Sequence, residues 1–309
     1  MAILESDNLL IAMWILSMAI IFFNTLVLAL GLPNRRETGV NKLMIYLTMG
    51  SNYFTAAFLL IVLSMDSAKE NFDEVDKKRF QLLCNLAGYF GLTATQISLW
   101  SMLIAALNLL LSLLFPRKFK RGKNYDILVR TVVLGELMIL IPACCIPFLP
   151  IPKFYEAQRN TWDSVCLPIH AAHEPFWAYT AFWFLVSTVA VATLLLTFAL
   201  LICYLKRQKQ ETAHAIPMQA RLIQKKSSQV KRMSCLMMSY TLCWIPALAV
   251  CVIMFAGHSV STGIVQWVVG FVLPLGSAVG PLWYIINTGL SGSTMENCMD
   301  LCCTKGMSN

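Results

Sequence analysis

The stretch Leu9 to Leu30 reads LLIAMWILSMAIIFFNTLVLAL, with no charge in 22 positions and only Ser17, Asn24 and Thr25 as polar side chains. At ~1.5 Å per residue a helix of that length spans about 33 Å, which matches the ~30 Å hydrocarbon thickness of a bilayer. Its apolar residues fall on every face, so it has no polar side to turn to water and belongs in lipid. No basic region precedes it and no small-residue cleavage site follows at a suitable distance, so it reads as an uncleaved first helix.

The same signal recurs along the chain. Apolar runs predict helices over 8–32, 40–64, 80–115, 126–149, 174–206, 229–256 and 262–288, separated by charged or Pro/Gly-marked breaks. The 309 residues are 58% hydrophobic and 13% charged, with a mean hydropathy of +0.65, which is more apolar than one soluble core can hide. The expected architecture is all-α: one seven-transmembrane helix bundle over residues 1–309, with no internal repeat and no loop long enough for a second domain. The third helix is the least apolar. Its interior carries Thr93, Thr95, Gln96, Ser98, Ser101 and Asn108, as suits a helix surrounded by other helices.

The net charge of +8 does not point to nucleic acid, because the basic residues fall in short clusters between apolar runs. On one side of a seven-span arrangement lie Arg35, Arg36 and Lys42, the group from Arg117 to Arg130, the group from Lys206 to Arg232, and Lys305. Together they make 18 of the 24 Lys and Arg. On the other side Lys69, Lys77, Lys78 and Arg79 are interleaved with acids from Asp66 to Asp76, and Lys153 and Arg159 follow. Since cytoplasmic loops collect Lys and Arg, the N-terminus is expected outside and the C-terminus in the cytoplasm of a multi-pass cell-membrane protein. The segments Arg117 to Lys123 and Lys225 to Arg232 read equally as topology signals and as contacts for a partner or anionic lipid.

Most of the 11 cysteines sit in apolar runs or in the tail. Cys84 opens the third helix on the outer side and Cys166 lies in the outer loop SVCLPI, so both face an oxidising compartment and are placed either to bridge or to stand as free thiols. A bridge would tie the loop over the helix tops. In the tail, residues 291–303 could form a short helix along the inner leaflet, with Cys298, Cys302 and Cys303 either acylated or free. His258, His170 and His173 show no metal-ligand spacing and read as solvated loop residues. No cofactor is implied.

Cys243-Trp-Ile-Pro246 sits in the middle of the sixth helix, where Pro246 removes a backbone hydrogen bond and clashes with the preceding turn. A hinge beside Trp244 is one reading, and a merely packed Trp is the other. Helix seven carries Pro274 and Pro281, followed by Tyr284, which reads either as a hydroxyl inside the bundle or as an interfacial anchor. Asn24, Asn52 and Asn108 are polar groups at depth, where they need partners, either for function or as interhelical glue between helices one and two. Glu136 faces a neighbour or is protonated.

Taken together these features resemble the rhodopsin-like G-protein-coupled receptors and, within them, the transmembrane domain of the relaxin and glycoprotein-hormone receptors. The most specific stretches are Leu242-Cys-Trp-Ile-Pro246 and QWVVGFVLPLGSAVGP over Gln266 to Pro281. Cys166-Leu-Pro-Ile-His170 and Met65-Asp-Ser67 agree with them. The resemblance implies a Cys84–Cys166 bridge, Trp244 and Pro246 as switch and hinge, Asn24 as the helix-one asparagine, and Tyr204, Pro281 and Tyr284 as matches to the ends of helices five and seven. It also implies an extracellular ligand and a heterotrimeric G protein or other cytoplasmic transducer.

The departures are as informative. Where the family has an acidic-Arg-aromatic triplet, this chain has Asn108-Leu109-Leu110. The helix-two aspartate becomes Ser51 or Asn52, so no sodium site is expected, and the helix-seven asparagine becomes Gly280. Only Met1 to Asn8 precede helix one in this sequence, so the leucine-rich platform of the hormone receptors, and with it a large hormone, is not expected. The expected function is a receptor-like signalling protein, with a non-coupling decoy or scaffold as the alternative and a transporter or channel behind both. Thr262 to Thr288 contains no lysine, which closes the option of a retinal Schiff base. No helix carries a pair suited to intramembrane catalysis, so an enzyme is not expected.

Overall fold

The computed structural model describes residues 4, 6–30, 40–67, 74–114, 123–146, 165–167, 176–212 and 217–289. In chain order the helices are α1 (Asp7–Ala29), α2 (Val40–Ser67), α3 (Glu74–Leu114), α4 (Lys123–Cys145), α5 (Phe176–Thr212), α6 (Pro217–Phe255), α7 (Thr262–Trp267) and α8 (Leu273–Gly289), the last two joined by a π-helical segment, Val268–Val272. Among the described residues there is no strand. Six of the seven rods are long and apolar enough to cross a membrane, while the apolar part of α4 among the described residues is Val133–Cys145.

Unlike those of a soluble bundle, the rods are apolar on their outer as well as their inner faces. On α1, Leu9, Met13, Leu16, Ile20 and Val27 are buried, while Ile11, Ile15, Met18 and Phe22 stand exposed on the opposite face. On α5, Phe182, Leu185, Val189 and Leu196 do the same. Contiguous apolar surface of this extent is tolerable only in lipid.

Three helices run six residues or more beyond their predicted apolar runs. α3 starts at Glu74, not near 80; α5 continues to Thr212, past 206; and α6 starts at Pro217, not 229. Hydropathy marks the membrane's thickness, whereas Lys, Gln, Glu and Arg sustain helix in water and carry these rods beyond it. α1 and α4 end earlier than predicted, at Ala29 and Cys145, and α2 runs on to Ser67. The seventh rod shows how one proline is absorbed. Pro274 has no N–H to offer the carbonyl four residues back, and the turn just before it widens to π geometry, while Pro281 sits inside α8.

The most extensive helix contact is between α2 and α3. Gly91 permits it, because a Cβ there would lie 3.1 Å from the ring of Phe58. Gly270 in the π segment likewise lets α1 approach, since its Cβ would lie 2.9 Å from Met13 Sδ. Small residues matter here because lipid gives apolar helices no reason to associate other than close packing and polar pairing.

Cys84 and Cys166 form a disulfide, with Cα atoms 5.1 Å apart and a sequence separation of 82. It turns the loop inward. Val165, Cys166 and Leu167 are all buried in the core cluster that holds Leu9, Met13, Leu63 and Val265. Val165 and Cys166 take left-handed backbone at φ 57° and 62°, and a β-branched valine does so only where its surroundings over-determine it. A second cluster around Leu109, Leu194, Leu201, Met237, Tyr240 and Trp244 fills the bundle towards the other end.

Candidate functional site

α6 presents two buried aromatic side chains one turn apart, Tyr240 and Trp244. The i, i+4 spacing puts them on one inward face, while Leu242 and Ile245 face out. Each lines a different cavity. Trp244 stands in the wall of a cavity of about 140 Å³ at the disulfide end, together with Gln96, Leu167, Tyr179, Trp183, Ser187 and Val268. Tyr240 stands in the wall of a smaller one, about 40 Å³, with Met44, Asn52, Ser101, Met233, Gly280, Pro281 and Tyr284.

A polar seam joins the rods between these cavities. Asn24 Nδ2 donates to the carbonyl of Ile20 at 2.7 Å and to that of Ser277 on α8 at 3.2 Å. Asn52 Nδ2 donates to Asn24 Oδ1 at 2.9 Å, and Tyr240 OH reaches Asn52 Oδ1 at 3.5 Å. Ser51 and Ser98 share a hydroxyl pair at 2.6 Å, linking α2 to α3, and Ser277 Oγ reaches Thr55 Oγ1 at 3.5 Å. Asn24, Ser51, Asn52, Thr55, Ser98, Tyr240 and Ser277 are all buried. Five rods are thus held by side-chain amides and hydroxyls, as buried polar groups in a membrane require.

The seam explains Gly280. A Cβ there would meet Tyr240 Cε2 at 3.3 Å and its hydroxyl at 3.8 Å. The phenol ring therefore packs against bare backbone and reaches across to Asn52.

Both helix-two candidates for the family's aspartate are engaged, Ser51 with Ser98 and Asn52 with Asn24. Among the described residues no three His, Cys, Asp or Glu gather as a metal-binding group. Trp244 is packed against the second cluster, and Pro246 lies half-buried within α6. Tyr284 is inside the bundle, 4% exposed. Tyr204 packs half-buried on the second cluster, and Asn108 is half-buried on α3. Leu109 is a buried core side chain of the second cluster. The Glu136 side chain, His170, His173 and the tail 291–303 with Cys298, Cys302 and Cys303 lie outside the described residues. So do the basic segments 117–122 and the side chains of 225–229.

Sequence reasoning missed Tyr240, Ser277 and Thr55. Tyr240 carried a signal, its four-residue offset from Trp244, and Ser277 lies four before Pro281. Neither spacing announces a hydrogen-bond partner on another rod.

No family model matches the chain. It is similar to the G-protein coupled receptor GRL101 of Lymnaea stagnalis, at 22% identity over 93% of this chain and 25% of that protein. Relaxin receptor 1 of Homo sapiens is 26% identical over 66% of this chain and 27% of that protein. The blue-sensitive opsin of Conger conger is 27% identical over 70% of this chain and 59% of the opsin. The chain thus spans about a quarter of the length of the first two relatives.

The fold defines a multi-pass membrane helix bundle with a disulfide-bridged loop at one end. In sequence the chain is similar, at 22–27% identity, to G-protein-coupled receptors, relaxin receptors and opsins among them.

Proposed function

We propose that the chain is a signalling receptor whose disulfide end faces outside, binds a ligand in the larger cavity, and passes the event along α6 to a heterotrimeric G protein or another cytoplasmic transducer. The observation that carries this reading is that the proline-containing α6 lines both cavities, through Trp244 in one wall and Tyr240 in the other. A ligand that repositions Trp244 relative to Pro246 changes which α6 geometry is stable and so shifts a population. The similarity to G-protein-coupled receptors supports the class of partner, and all 309 residues are read as one functional unit.

A second reading is favoured by Leu109, a receptor fold that does not stimulate nucleotide exchange. Where the family keeps a charge for the transducer, Leu109 is buried 4% exposed beside Leu113, Leu201 and Val230, which closes the end of the bundle with hydrocarbon. Nucleotide exchange on purified G proteins, driven by the reconstituted chain and by Leu109→Arg, separates the two. Exchange by the unmodified chain well above empty membranes supports the coupled receptor and sinks the non-coupling one. Exchange only by Leu109→Arg, at equal surface expression, supports the second.

A further inference from the structure

The 140 Å³ cavity has a wall whose chemistry restricts what can occupy it. No described residue of that wall is ionised at neutral pH. They are Leu, Val, Ala, Trp, Phe and Tyr, with a few amide, hydroxyl and thiol groups. The polar groups are mostly committed. Thr95 Oγ1 donates to the Leu92 carbonyl at 2.9 Å and Tyr179 OH donates to the Ala143 carbonyl at 3.2 Å, whereas the buried Trp183 indole N–H has no acceptor. Gln96 supplies the unpaired acceptor. Its Nε2 donates to Ser187 Oγ at 3.2 Å, while Oε1, in a side chain only 2% exposed, accepts from nothing.

An unpaired amide oxygen in an apolar wall is a standing cost, relieved by whatever brings it a donor. The terminal torsion of a glutamine is soft, so a small rotation turns Oε1 towards an occupant without moving α3. Size sets the other limit. A dry apolar cavity of about 150 Å³ takes a molecule such as benzene, so the occupant here is of that order. A cation or carboxylate would meet no counter-charge on this wall and would lose its hydration.

From these observations we infer the ligand class of this cavity: a compact, uncharged, largely aromatic or aliphatic molecule that carries one hydrogen-bond donor, which it gives to Gln96 Oε1 while its apolar body packs against Trp244 and Val268. The inference rests on the reading of the cavity as a ligand site and adds the chemistry of the occupant.

The full chain in lipid nanodiscs is titrated with 4-fluorophenol, 4-fluorotoluene and 4-fluorobenzylamine, followed by fluorine NMR against empty nanodiscs to remove lipid partitioning. The expected result is saturable binding of 4-fluorophenol about tenfold tighter than 4-fluorotoluene, the ratio one good hydrogen bond gives. In Gln96→Leu that preference is lost while 4-fluorotoluene binds at least as well, a result that also shows the variant to be folded. Equal binding of phenol and toluene to the unmodified chain overturns the donor rule. Tighter binding of the ammonium probe overturns the neutral class and leaves the ligand site standing. Saturable binding of none of the three overturns the inference and the ligand site together, whereas the nucleotide-exchange assay judges coupling independently of all three.

Discussion

At position 280 a single missing Cβ decides the conformation of a tyrosine on another rod. The Tyr240 ring lies where a side chain on Gly280 would stand, with 3.3 Å to an added Cβ, and its hydroxyl is thereby held over Asn52. Gly280→Ala is expected to push the ring off and weaken the contact with Asn52, destabilising by about 1–3 kcal/mol, the usual cost of overpacking. Thermal unfolding in detergent micelles measures it. Tyr240→Phe in the Gly280→Ala background should cost less than it does alone, because the hydroxyl contact is already gone, and strict additivity of the two changes would refute the coupling. Asn52→Leu removes the donor that Asn24 Oδ1 receives and strands it in a dry interior, for an expected loss of about 1–3 kcal/mol. The asparagines were legible in the sequence because polar groups at depth are costly and therefore conspicuous. Tyr240 was not, because a tyrosine in an apolar run looks like packing until its hydroxyl is seen to reach another helix.

At the scale of elements, hydropathy reveals where a rod is in lipid and says little about where it stops. The first rod was legible to within a few residues because water-side residues break it. α6 was placed twelve residues late because MQARLIQKKSSQ is helical and polar at once. The loop carrying Cys166 was legible for a different reason, namely that only two cysteines had a suitable location. Its burial was not, since Val165 and Leu167 are ordinary loop residues until the bridge draws them into the core cluster. Cys84→Ser is therefore expected to cost more than the cross-link alone, whose usual worth is about 2–4 kcal/mol, because it also releases a buried apolar plug. The check is a pair of melting curves with Cys84→Ser and with Val165→Gly. The second keeps the bridge, eases the left-handed backbone and loses the apolar contact, so a melting temperature unchanged by Val165→Gly would show that the loop contributes only through its sulfurs.

Over the whole molecule, the two cavities lie on opposite sides of one polar seam and share walls from α3, α6 and the seventh rod, which makes their states interdependent. Asn24, Asn52 and Tyr240 hold α1, α2 and α6 together between the cavities, while Pro246 lies two residues beyond Trp244 in the part of α6 nearer the disulfide. A rod with a weakened hydrogen bond on one side of a seam and a polar latch on the other bends at the first only when the second releases. Spin labels at Leu113 on α3 and Met233 on α6, the latter in the wall of the smaller cavity, report this as a distance distribution in nanodiscs. Tyr240→Phe, by removing the latch, is expected to broaden the distribution towards longer separations. Adding Pro246→Ala, which restores the missing backbone bond, should narrow it again. If Pro246→Ala leaves the broadened distribution unchanged, α6 moves as a rigid body and the proline is not its pivot. If Tyr240→Phe leaves the original distribution unchanged, the contact with Asn52 is packing alone, and whatever passes between the two cavities travels by another route.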